Sequence, residues 1–128
     1  MVKIENDVDV KKYLNSSIRP VFRVTIRKNE KFFGPGIARL IHLTEELGSI
    51  SAASNEMGMS YSKAWTIIKR MEKELNMKVF ETKTGGKEGG ASIITPEAKS
   101  FLDRYDKMMD FLDKQTAKAY QKYFLDGK

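Results

Sequence analysis

A chain of 128 residues with no cysteine has room for one domain with a real core. It has no disulfide, thiolate metal site or cysteine nucleophile. It opens on no basic-apolar leader and holds no apolar run near the ~18 residues of a membrane span, so a cytoplasmic protein without membrane contact is expected. Its net charge of +6 is unevenly spread: residues 60–87 hold seven Lys/Arg against three Glu, and residues 1–34 hold eight Lys/Arg against four acids.

Residues 1–17 are polar and mixed in charge, with weak helical periodicity around Val8, Val10 and Leu14, and are expected to form a weakly ordered leader or a short helix. From Pro20 to Lys28 apolar and polar residues alternate. Phe22, Val24 and Ile26 share one face of a predicted strand, with Arg23, Thr25 and Arg27 on the other. A polar turn at Lys28–Lys31 leads to a second short strand at Phe32-Phe33, which makes an N-terminal β-hairpin.

Pro35 suits the first turn of a helix, where its missing N–H is not needed. Ile37, Leu40, Ile41, Thr44 and Leu47 follow helical spacing until Gly48. His42, the only histidine, lies beside this stripe; without a carboxylate or cysteine at ligand spacing it reads as structural. Ser51 is expected to cap a second, short helix. Ala52, Ala53 and Met57 give that helix a narrow apolar side, and Gly58 supplies a turn.

A third helix is expected to start at Ser60, again a capping residue. Ala64, Ile68, Met71 and Leu75 recur at i, i+4, i+7 and i+11 and form its buried stripe. Tyr61, Ser62, Lys63, Trp65, Thr66, Lys69 and Arg70 must then point elsewhere. Hydroxyls, an aromatic ring and three cations are groups that pair with base edges and phosphate oxygens. A solvated basic face would carry the same cations, and Trp65 fits equally at the edge of the core. Two helices joined by a glycine turn form a helix-turn-helix, whose second helix enters the DNA major groove.

Lys78–Thr82 and Ala91–Thr95 read as short strands around a loop with glycines at 85, 86, 89 and 90. Lys83, Thr84 and Lys87 favour a DNA-contacting wing for this loop over the alternative of a merely flexible hairpin tip. It is no Walker A cradle, because Glu81 and Glu88 stand where that motif needs Gly and Ser/Thr. From Pro96 to Phe124 the pattern is helical, with Thr95 as its cap. Ala98, Leu102, Tyr105, Met109, Leu112, Thr116, Ala119 and Tyr123 alternate at spacings of four and three. A helix of about 29 residues spans about 43 Å, more than so small a domain covers. Part of this seam is therefore expected to meet another chain, with Leu102, Tyr105, Met109, Leu112, Thr116, Ala119 and Tyr123 assigned to a homodimer interface. Phe101 and Met108 widen its first half, which is expected to pack on the domain, and a helix folded back on its own chain is the alternative.

The expected fold is mainly α with small β elements. It is a winged helix-turn-helix over residues 18–95 with an N-terminal hairpin, followed by a long dimerisation helix over residues 96–125. Its expected function is sequence-specific transcriptional regulation. A winged-helix module that bends DNA or binds protein without a fixed operator is the alternative. One histidine, no cysteine and no nucleophile motif speak against an enzyme.

Gly34-Pro35-Gly36, Gly48-Ser49-Ile50-Ser51-Ala52-Ala53, the Gly58–Trp65 run with its Ser-Tyr-Ser-Lys-Ala-Trp helix start, the Gly85–Ala91 wing and Thr95 carry a family resemblance. With them, residues 34–105 resemble the DNA-binding domain of the ModE family of molybdate-responsive regulators, itself similar to the helix-turn-helix of LysR-type regulators. With varying strength the resemblance covers residues 20–125. It implies a winged-helix dimer on double-stranded DNA, with the third helix in the major groove and the terminal helix at the dimer interface. Ser60, Tyr61, Ser62, Lys63, Trp65 and Lys87 are implied at or near DNA; with Ser51, Thr66, Lys69, Arg70, Lys83 and Thr84 they complete the candidate DNA-binding set. An inverted repeat is the implied target. Full-length members carry molybdate-binding domains after the long helix. This sequence ends at Lys128, so a stand-alone form without cofactor is expected and molybdate sensing is not carried over. Glu88 departs from the small residues usual in the wing.

Overall fold

A computed structural model describes residues 8–83 and 91–126, as mainly helical structure with two small antiparallel sheets. Its contacts divide it into two units, Arg23–Asp106 and the described residues of Met1–Phe22 with Lys107–Lys128.

In the first unit, β1 (Ile26–Arg27) pairs antiparallel with β2 (Lys31–Phe33), Ile26 opposite Phe33 and Arg27 opposite Lys31, with a register shift between the two pairs. The strand expected over 20–28 is thus confined to its last residues. Gly34-Pro35 ends β2 after three residues, and a ladder extends only as far as its partner. Phe22 is accordingly exposed.

Helix α1 (Pro35–Leu47) has Pro35 in its first turn and closes at Gly48, whose φ of 88° is the left-handed conformation that favours glycine. Leu40, Ile41 and Thr44 are buried, and the Thr44 hydroxyl donates to the Leu40 carbonyl at 2.8 Å. Helix α2 (Ile50–Glu56) is capped by Ser49, not Ser51: the Ser49 side chain accepts from Ala52 N–H at 3.1 Å. Gly48 ends α1, so the next residue is the first free to take the extended cap conformation. Ser51 falls inside the helix.

The turn at Gly58 (φ 69°) leads to α3 (Tyr61–Leu75). Ala64, Ile68 and Met71 are fully buried as the spacing predicts, and Leu75 is half-buried. Asn76 ends the helix in the left-handed region with its N–H on the Glu72 and Lys73 carbonyls. Strands β3 (Phe80–Lys83) and β4 (Ala91–Ile94) pair antiparallel, Phe80 opposite Ile94 and Lys83 opposite Ala91. Ser92 N–H donates to the Gly48 carbonyl at 3.1 Å, which ties β4 to the α1–α2 turn.

Thr95 links this sheet to α4 (Pro96–Tyr120). Its hydroxyl donates to the Lys78 carbonyl at 2.7 Å and accepts from Ala98 N–H at 3.2 Å as the expected cap. In the core, the buried Phe33 ring meets Phe101 and Tyr105 edge-on, with centroids 4.9 and 4.8 Å apart. The Tyr105 hydroxyl donates to the Val24 carbonyl at 2.7 Å. Burial pushes the Tyr105 hydroxyl above its ordinary titration range, and the charge of Asp106 adds to the shift. Lys99 is raised as well, by its hydrogen bond to Glu45 and then by the Glu45 charge, with Asp103 adding and desolvation opposing.

These contacts correct one expectation. Leu102 and Tyr105, placed by their spacing on a dimer seam, are buried with Ala98 in the chain's own core. A heptad pattern marks an apolar stripe without saying what covers it.

In the second unit a 3₁₀ turn, Lys11–Tyr13, is held by Lys11 N–H on the Asp9 carboxylate at 3.0 Å. Leu14, Ser16 and Ile18 border a shallow cavity with Tyr120 and Leu125. A wide π turn, Gln121–Leu125, follows α4, and the Tyr120 and Phe124 rings stack at 4.9 Å.

Candidate nucleic-acid interface

Ser60 sets the start of α3. It is extended (φ −72°, ψ 152°), and its hydroxyl accepts from Lys63 N–H at 3.0 Å. With Ala64, Ile68 and Met71 inward, a rotation of about 100° per residue carries Ser62, Thr66 and Lys69 to the opposite side. Ser51, Ser60, Tyr61, Ser62, Lys63, Thr66, Lys69 and Arg70 are all exposed. Tyr61 keeps 53% of its surface in solvent.

Trp65 falls between its two expected places. It is half-buried, beside a cleft of about 450 Å³ lined also by Lys69, Glu72, Lys78, Phe80, Glu81 and Thr82. Tyr61 meets its ring edge-on at 6.4 Å, and Lys69 Nζ lies 5.1 Å from its centroid. The indole is thus fixed at the border of core and surface.

The polar set is already partly engaged. The Thr66 hydroxyl donates to the Ser62 carbonyl at 3.0 Å, which leaves its oxygen free to accept. Lys69 Nζ lies 3.4 Å from one Glu72 oxygen, and the other accepts from Val79 N–H at 2.9 Å. Arg70 pairs with Glu30 in the β1–β2 turn at 3.1 Å. Lys83 ends β3, while Thr84 and Lys87 lie outside the described residues.

Three groups were not found from sequence. Glu72 lies three residues after Lys69, and that spacing is a legible signal. Glu30 meets Arg70 across 40 residues, and His42 Nε2 meets Asp106 Oδ2 at 2.8 Å across 64; neither pairing has a local signature. Among the described residues no three His, Cys, Asp or Glu side chains come together in a way that would hold a metal ion.

Residues 38–99, which contain all three helices of this motif in whole or large part, match the family model of bacterial regulatory helix-turn-helix proteins of the lysR family. The chain is 35% identical over 75 residues to the transcriptional regulator ModE of Haemophilus influenzae, covering 59% of this chain and 29% of that protein. It is 30% identical over 93 residues to the DNA-binding transcriptional dual regulator ModE of Escherichia coli K12, covering 71% and 35%. It is also 30% identical over 106 residues to the molybdenum transport protein ModE of Herbaspirillum seropedicae, covering 80% and 36%.

The chain carries a ModE-family helix-turn-helix domain.

It spans little more than a third of the length of those relatives at most. Within the ModE-family domain, α2, the Gly58 turn and α3 form the helix-turn-helix, and β3–β4 are the strands of the wing. Among the described residues no helix is long and apolar enough to cross a membrane.

Proposed function

We propose that this protein is a sequence-specific transcriptional regulator that binds double-stranded DNA as a homodimer. The observation that carries the proposal is the outward face of α3. It begins at a capped, exposed terminus and combines hydroxyls, two aromatic edges and cations around a rigid buried stripe. Ser62 and Thr66, with Tyr61 and Trp65 beside them, are suited to base edges and thymine methyl groups; Lys63 and Lys69 are suited to phosphates. The domain family supports DNA binding, and the regulators among its relatives support a transcriptional role.

The homodimer rests on the later part of α4 and the turn after it. Met108, Phe111, Tyr123 and Phe124 are exposed apolar side chains, and Met109, Leu112 and Thr116 are half-buried beside them in sequence. Ala119 is exposed as well. A second copy on a two-fold axis is the commonest cover for such a surface. Two recognition helices related by that axis would read an inverted repeat, its half-sites about one DNA turn or a multiple apart.

Selection of bound sites from fragmented genomic DNA, followed by sedimentation of the complex, tests this function. Recovery of an inverted repeat with two chains per duplex is expected. Recovery of unrelated sequences would replace it with the architectural reading.

A further inference from the structure

The tip of the N-terminal hairpin gathers cations that the helix-turn-helix does not account for. Arg27 and Lys31 stand directly opposite each other in the β1–β2 ladder, so both side chains leave the same face of the hairpin. Like charges directly opposed across a ladder are destabilising. Lys28, in the turn between the strands, adds a third exposed cation, and its N–H closes the turn on the Glu30 carbonyl at 3.2 Å. Among the described residues none of the three has a carboxylate partner. A repulsive, unneutralised cluster is relieved by an anion, and a row of phosphates supplies several.

The position of the tip decides which anion. Arg70 and Glu72 flank Met71 on α3, each about 100° from it and on opposite sides. Glu72 holds Val79, just before wing strand β3, while Arg70 holds Glu30 in the hairpin turn. The recognition helix therefore lies between the wing on one edge and the hairpin on the other. The exposed Arg70–Glu30 pair contributes little to stability but reports this placement. The hairpin is also anchored from below, since Phe32 and Phe33 are buried at its base.

We infer that the β1–β2 hairpin is a second wing, whose Arg27, Lys28 and Lys31 grip the DNA backbone on the edge of α3 opposite strands β3 and β4. This rests on the DNA-binding function proposed above. The grip is on phosphate, so it adds affinity and orientation without reading sequence.

The test is the salt dependence of binding to a selected duplex and to a random duplex of equal length, for the full chain. Arg27→Ala combined with Lys31→Ala removes the repulsive pair, so the melting temperature should hold or rise. The slope of log affinity against log salt should shrink by about 0.9 for each phosphate no longer neutralised, and one to two such phosphates are expected. Affinity for both duplexes should fall by the same factor, leaving their ratio unchanged. Lys63→Ala combined with Lys69→Ala serves as the control on α3. If it flattens the slope while the hairpin variant matches the wild type, the second wing is overturned and the DNA-binding function stands. If the wild type binds neither duplex, both fall. A hairpin variant that alters the ratio between the two duplexes also overturns a backbone-only role.

Discussion

The Glu72 carboxylate, on the last turn of α3, accepts the backbone N–H of Val79 at 2.9 Å, just before the strand that leads into the wing. Only 12% of its side-chain surface is exposed, and its other oxygen faces Lys69 at 3.4 Å. One side chain thus fixes the end of the recognition helix to the start of the wing and holds a cation of the outward face. Glu72→Ala leaves the Val79 N–H without its partner and should cost about 1–3 kcal/mol in chemical denaturation. Glu72→Gln keeps an acceptor oxygen and should cost less than half as much. Equal losses for the two would show that charge, not the Val79 hydrogen bond, makes the link.

Tyr105 gives a pH prediction. Its pKa is raised on folding by burial and then by Asp106. Its contribution is therefore complete below the unfolded value of about 10 and is lost as pH rises through the folded one. Tyr105→Phe should remove that part of the alkaline loss and cost about 1–2 kcal/mol at neutral pH, since the Val24 carbonyl loses its donor. Stability curves of the two proteins from pH 8 to 11 should converge as pH rises. Parallel curves would place the alkaline loss elsewhere, with Lys99 the next group to examine.

What was legible in the sequence follows from local physics. The caps at Ser60 and Thr95, the left-handed Gly48 and Gly58, and the buried Ala64–Ile68–Met71 stripe depend on a few neighbouring residues, and each stands where the pattern puts it. The cap of α2 was misplaced by two residues because Ser49 and Ser51 are chemically equivalent; the preceding Gly48 turn chooses between them. The long strand over 20–28 failed because alternation describes one strand while pairing needs two. Leu102 and Tyr105 illustrate the same limit, an apolar stripe legible without its cover. At the candidate site the outward residues of α3 were readable from periodicity. The Glu30–Arg70 pair was not, since 40 residues separate the two groups.

Phe111 tests the homodimer. It keeps 60% of its surface exposed, so the chain's own packing does not need it. At concentrations too dilute for association Phe111→Asp should melt near the wild type, and it places a charge at the proposed interface, at a cost of several kcal/mol to association. In sedimentation equilibrium at tens of micromolar the wild type should sit near twice the 14.6 kDa chain mass, and the variant near one. A wild type at one chain mass would remove the dimer, and the inverted repeat with it.

The proposal that α3 reads DNA sequence is tested most directly by one ratio. Purified protein is titrated, at a single near-physiological salt concentration, against a duplex carrying a selected site and against the same duplex with that site scrambled. A specific regulator should favour the selected duplex by about 10³ or more. Replacing Ser62 and Thr66 with Ala should narrow that preference while leaving affinity for the scrambled duplex unchanged, because hydroxyls on base edges add nothing to backbone binding. Equal affinity of the wild type for both duplexes would contradict the proposal.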